Sequence, residues 1–247
     1  MSYRAAALRF VFASAALAQP VSAGEPRAVI ELFTSQGCSS CPAADKLLGQ
    51  LAHDPSVIAL SLPVDYWDYL GWKDTLALHD HSTRQREYAE ERGDRAVYTP
   101  QVVINGIAHV LGSDKAAIEK AIAATRGEAA PLRVPVSVQV ADGKLTVNVA
   151  AGDGGAGTAE VYLCPFASRI PVTVQRGENG GKTLTYYDVV RRWVKLGNWN
   201  GKAETYSLPL SDVTKGAGDV DHVAVLVQRE QHDRPGLMLG AAEAKLK

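Results

Sequence analysis

Residues 34–45 read TSQGCSSCPAAD, with Cys38 and Cys41 separated by two serines. Before them comes AVIELF (28–33), a β-branched and aromatic run suited to a buried strand. After them comes PAADKLLGQLAHD, whose Leu47, Leu48 and Leu51 share one helical face. The pair is therefore predicted to sit where a strand turns into a helix. Three chemistries fit such a pair: a structural staple, a metal clamp and a reversible dithiol. Helix-start placement favours the dithiol, because unsatisfied N–H groups and a partial positive charge stabilise a thiolate on Cys38. Cys41, one turn in, is then placed to resolve a mixed disulfide. A staple gains little from so short a loop: about 2 kcal/mol for four residues against about 3 for fifteen in the chain-entropy model. A metal clamp needs two further ligands, and His79 and His81 offer imidazoles from a segment without defined geometry.

Working outward, SVIALSLPVDYWD supplies a second strand and HSTRQREYAEERGD a charged helix stopped by Gly93. YTPQVVINGIAHVLGSD gives a strand, a turn at Asn105-Gly106 and a return strand. SDKAAIEKAIAATRG closes the half as a helix capped by Ser113 or Asp114. The order strand, helix, strand, helix, hairpin, helix predicts an α/β layer structure.

From VPVSVQV onward the texture changes to alternating apolar residues. Asp142-Gly143 marks a hairpin, and strand-like runs follow in AEVYLCPF, IPVTVQ, ETYSLPL, DHVAVLVQRE and LMLGAA. This half is predicted to be an all-β sandwich. Cys164, within VYLCPF, reads as a small buried hydrophobe, and RGENGGK (176–182) as a turn or mobile loop.

The strand, the GCSSC helix start and the YTPQVVING segment together resemble the thioredoxin fold. Over nearly all of the chain after the leader, ELFTSQGCSSCPAADKLL, PVDYWDYLGWKD, YTPQVVING and GENGGKTLTYYDVVRRW are similar to secreted thioredoxin-like proteins of the domain-of-unknown-function family number 1223. The resemblance implies a thioredoxin-like domain over 24–128 and a β-sandwich domain over 129–247. It makes Cys38 and Cys41 the reacting pair and Thr99-Pro100 a cis-proline loop, with Thr99, Gln101, Tyr66 and Trp67 as substrate-docking residues. The helix-start dithiol predicts a thiol–disulfide oxidoreductase, with a metal carrier or a non-catalytic binding module as alternatives. No organic cofactor and no metal are implied. This chain departs from thioredoxins in its Ser39-Ser40 dipeptide and in Leu32, where they bury an acid. Glu31 is one residue off that register, so alternation puts it on the opposite face, exposed or paired elsewhere.

The chain has 247 residues and a formal charge of −1, so it lacks a basic field for nucleic acid or an anionic membrane. Its first 23 residues carry Arg4, Arg9, an apolar run over 10–18 and small residues before Ala23, the layout of a cleavable export signal. The run is too short to span a bilayer. Export to a periplasm or the medium is therefore expected, without stable membrane insertion. The partners would be thiols or disulfides of other exported proteins, and a redox partner protein.

Overall fold

The computed structural model describes residues 26–126, 131–153 and 158–246. The expected signal (1–23) and the expected boundary at 128–129 lie outside the described residues. Along the chain the elements are β1 (Ala28–Thr34), α1 (Cys41–Leu51), β2 (Val57–Pro63), a 3-10 turn (Asp68–Leu70), α2 (His79–Arg92), β3 (Gln101–Ile104), β4 (Ala108–Leu111) and α3 (Lys115–Thr125). There follow β5 (Val136–Ala141), β6 (Lys144–Val149), β7 (Ala159–Thr173), β8 (Thr183–Val190), β9 (Val194–Trp199), β10 (Glu204–Pro209), α4 (Leu210–Thr214), β11 (His222–Gln231) and β12 (Arg234–Lys245). The architecture is mixed α/β, mostly sheet with few helices.

β1 pairs parallel with β2 and antiparallel with β3, and β3 pairs antiparallel with β4. The sheet does not stop there. β2 meets β8 at Ser61 and Val189, and β8 leads through β7 and β11 to β12, so strands from both halves share one nine-stranded sheet. The runs AEVYLCPF and IPVTVQ, read as separate strands, are the single long β7. Its first part pairs with β11 and β9, its second with β8. A three-stranded sheet, β10-β6-β5, packs Leu145, Val147 and Val149 against Val161, Leu163, Val223, Val225 and Leu239 of the large sheet.

Alternation along β1 divides the other two cores. Ile30 and Leu32 face α1 and α3, packing with Ala44, Leu48 and Ile118. Val29 and Phe33 face Tyr88 of α2 and Phe166, Leu226 and Met238 of the second half. Glu31 shares the latter face, as the alternation requires, and is buried. Its carboxylate accepts from Arg84 Nε at 2.7 Å and Tyr88 OH at 2.5 Å, while Arg84 also donates to Gln228 Oε1 at 2.7 Å. That network ties β1 and α2 to β11. Asn105 does similar work: its side chain accepts from Val29 N and donates to Thr125, and its carbonyl accepts from Met238 N of β12.

Candidate functional site

Cys41 is the first residue of α1, with Ser40 as its N-cap and Pro42 next, where a missing N–H costs nothing. Cys38 lies outside the helix, in the turn before it. Cys38 N donates to Ser35 O and Cys41 N to Cys38 O, both at 3.2 Å. The two sulfurs form a disulfide with Cα atoms 5.4 Å apart. Thus Cys41, not Cys38, stands on the helix. Ser39 and Ser40 are exposed, yet Cys38 is only 1% exposed and Cys41 0%.

The cover is built from three directions. Gln36 is pinned below: its backbone N–H donates to Asp74 at 2.7 Å, its side-chain NH2 donates to Thr75, and its side-chain Oε1 accepts from the Trp72 indole at 2.8 Å. Beside Gly37 runs Trp67, whose Cβ would lie 3.1 Å from a Cβ placed there, a tight approach that favours a small residue at this position. From the distant turn 176–182, Asn179 donates to Gln36 O at 3.1 Å and Cys38 O at 2.9 Å, and Glu178 accepts from Ser39 N at 3.0 Å.

The Thr99–Pro100 bond is cis. The Trp67 indole donates to Thr99 Oγ1 at 2.8 Å, joining this loop to the cysteine turn. Gly112 lies between Pro100 and Ala44 of α1, each 3.3 Å from where a Cβ on it would sit, and its N–H donates to Pro100 O at 3.0 Å. Tyr66 donates to Gln85 at 3.1 Å, and burial pushes its phenol up to about 12. Cys38, Cys41, Thr99, Pro100 and Trp67 therefore form one neighbourhood, with Tyr66 next to it. Gln101 is placed differently. It is fully buried, accepting from Gln85 and donating to Ala96 O, so its amide braces the loop from inside and offers no surface.

Asp45 was not foreseen. It sits on the buried face of α1 one turn after Cys41, and neither carboxylate oxygen has a hydrogen-bond partner among the described residues. Burial pushes its pKa up to about 8, the nearby Thr34 hydroxyl opposing and the Asp74 charge reinforcing the shift. It borders a cleft between α1 and β8 that Lys46, Thr183 and Tyr187 also line. An aspartate at i+4 from a buried cysteine, on a face otherwise holding Ala44 and Leu48, was the available signal. For Asn179 and Glu178 there was none, since nothing local in RGENGGK points to residues 36–39.

The histidines do not join the cysteines. His79 bonds Asp65 at 2.8 Å, and His81 is buried against Pro63 O, burial pulling its pKa down to about 3. Among the described residues no three His, Cys, Asp or Glu side chains converge on a possible metal position.

The fold and site define an α/β protein with a Cys-x-x-Cys disulfide at the mouth of its first helix. The model for the proteins of unknown function DUF1223 matches residues 29–228, and the chain belongs to that family. A protein of Agrobacterium tumefaciens solved by X-ray crystallography is similar at 34% identity and TM-score 0.80, over 90% of this chain and 96% of that one. No curated protein matches.

Proposed function

We propose that this chain is an exported, thioredoxin-like thiol–disulfide oxidoreductase acting on other exported proteins, its second half a β-sandwich built onto the same sheet. The observation that carries the reading is the Cys38–Cys41 disulfide at the first turn of α1, with the Thr99 loop joined to it through Trp67. The strand order β2-β1-β3-β4, with β3 antiparallel, supports the thioredoxin-like assignment. In the reduced chain the Cys38 thiolate attacks a partner disulfide, forming a mixed disulfide and expelling one partner thiolate. Cys41 then attacks Cys38 sulfur and expels the second partner thiolate, which takes up the Cys41 proton. Two electrons pass to the partner, and the reverse sequence oxidises a partner dithiol.

The test is a Cys41→Ser variant, reduced and mixed with exported proteins. Mixed disulfides through Cys38 should accumulate, and their absence while Cys38 reacts with iodoacetamide would sink the proposal. The burial of Cys38 favours a second reading, a binding module with a static disulfide. That reading expects binding to be unchanged when both cysteines become serine.

A further inference from the structure

One side of the cover over Cys38 is a hairpin latched in place. The β7–β8 connection closes on itself through Val174 N to Lys182 O at 2.9 Å and Gly181 N to Val174 O at 2.8 Å. Inside it, Lys182 Nζ donates to Asn179 Oδ1 at 2.9 Å, fixing the amide so that its NH2 points away from the hairpin. Both of those protons are used on the cysteine turn, one on Gln36 O and one on Cys38 O, and Asn179 is itself fully buried. Glu178 adds an acceptor for Ser39 N on the exposed side. Gly177, at φ 77°, lets the turn lie against Trp72.

Two donors to carbonyls and one acceptor from an N–H are what an extended polypeptide backbone offers. A segment of another protein could replace all three contacts; a small thiol without amide groups, such as 2-mercaptoethanol, could replace none. Resting on the exchange reading above, we propose that Asn179 is the specificity-determining residue of the site. It holds the hairpin over Cys38, and the substrates are disulfides within extended polypeptide segments that displace the hairpin from residues 36–39.

Cys164 supplies an internal control, since it is a free, fully buried thiol whose alkylation reports general unfolding. Oxidised wild-type and Asn179→Ala chains are treated with reduced glutathione and iodoacetamide, and labelling of each cysteine is followed by mass spectrometry. The variant should expose Cys38 about tenfold faster, the effect of losing a pair of buried hydrogen bonds, with Cys164 labelling unchanged. Equal rates in both chains, or parallel acceleration at Cys164, would overturn the proposal. Should Asn179→Ala fail to fold, Asn179→Asp removes the two donors at nearly constant volume and is read identically. In a second arm, the reduced wild type should exchange with a disulfide-linked extended peptide faster than with hydroxyethyl disulfide, which has no amide groups, and the variant should lose that preference. A preference unchanged in the variant overturns the specificity role. No exchange with either disulfide by either chain, despite faster Cys38 labelling, leaves the hairpin's shielding role standing and removes the exchange reading.

Discussion

Asp45 lies one helical turn beyond Cys41 on the buried face of α1, and both of its carboxylate oxygens lack hydrogen-bond partners among the described residues. An arrangement that costs stability in this way is the kind retained at working sites. The unfolded chain releases this proton near 3.8, whereas the folded chain keeps it to about 8. Between those values the folded state holds the extra proton, so this group's stabilising contribution is full below the lower value and lost as pH rises to the upper one. Asp188, also pushed up to about 8 by burial, acts in the same direction.

Asp45→Asn should therefore flatten the decline. Its Tm relative to the wild type should climb between pH 5 and pH 8 by about 4 °C or more, roughly what 1–2 kcal/mol is worth in a chain of this size. Calorimetry across that range checks it. Two parallel Tm curves would show that Asp45 is not the buried acid described.

Glu178 places a carboxylate against Ser39 N, beside the turn where a Cys38 thiolate would form. In the reduced protein Glu178→Gln should speed iodoacetamide labelling of Cys38 about two- to threefold at low ionic strength. The advantage should fade above about 0.5 M salt, because an exposed charge is screened. An advantage that survives salt would assign the effect to hairpin opening and not to charge.

What could be read in advance was local. The strand before the cysteines, the Gly93 stop of α2 and the Asn105-Gly106 turn each depend on neighbours within a few residues, while the Thr99-Pro100 loop came from the resemblance. The hydrophobic period of β1 even placed Glu31 on the face away from α1. The junction of the two halves at Ser61 and Val189, and the reach of Asn179 to Cys38, join residues more than a hundred positions apart and leave no periodicity to detect. For Gln101, the place in the chain next to Pro100 says nothing about which way its amide turns, and the buried orientation was not legible.

Glu31 and Arg84 form a buried ion pair that also holds Tyr88 and Gln228. Removing one partner strands the other charge in a low-dielectric core, so Glu31→Ala should cost about 3–5 kcal/mol. Replacing the pair together, as Glu31→Leu with Arg84→Met, should recover a large part of that loss. Urea denaturation of the two variants decides it, and a double variant no better than the single would mean that the network's remaining hydrogen bonds dominate.

The two hairpin turns Asn105-Gly106 and Asp142-Gly143 are matched in local conformation, with φ of 51° and 75° in the first and 50° and 71° in the second. Alanine at either glycine pays the left-handed cost of about 1–2 kcal/mol. Their surroundings differ. A Cβ on Gly143 meets nothing within 4 Å, whereas one on Gly106 would overlap the Gly236 carbonyl, where the turn lies against β12. Gly143→Ala should therefore lose only the conformational term. Gly106→Ala should lose that and about 2 kcal/mol more, because backbone, unlike a side-chain tip, cannot yield cheaply. The difference between the two, measured by urea unfolding, isolates the close approach of the first half's hairpin to the last strand. Equal losses would mean that the approach is loose and that the shared sheet, together with the Glu31 network, holds the halves together.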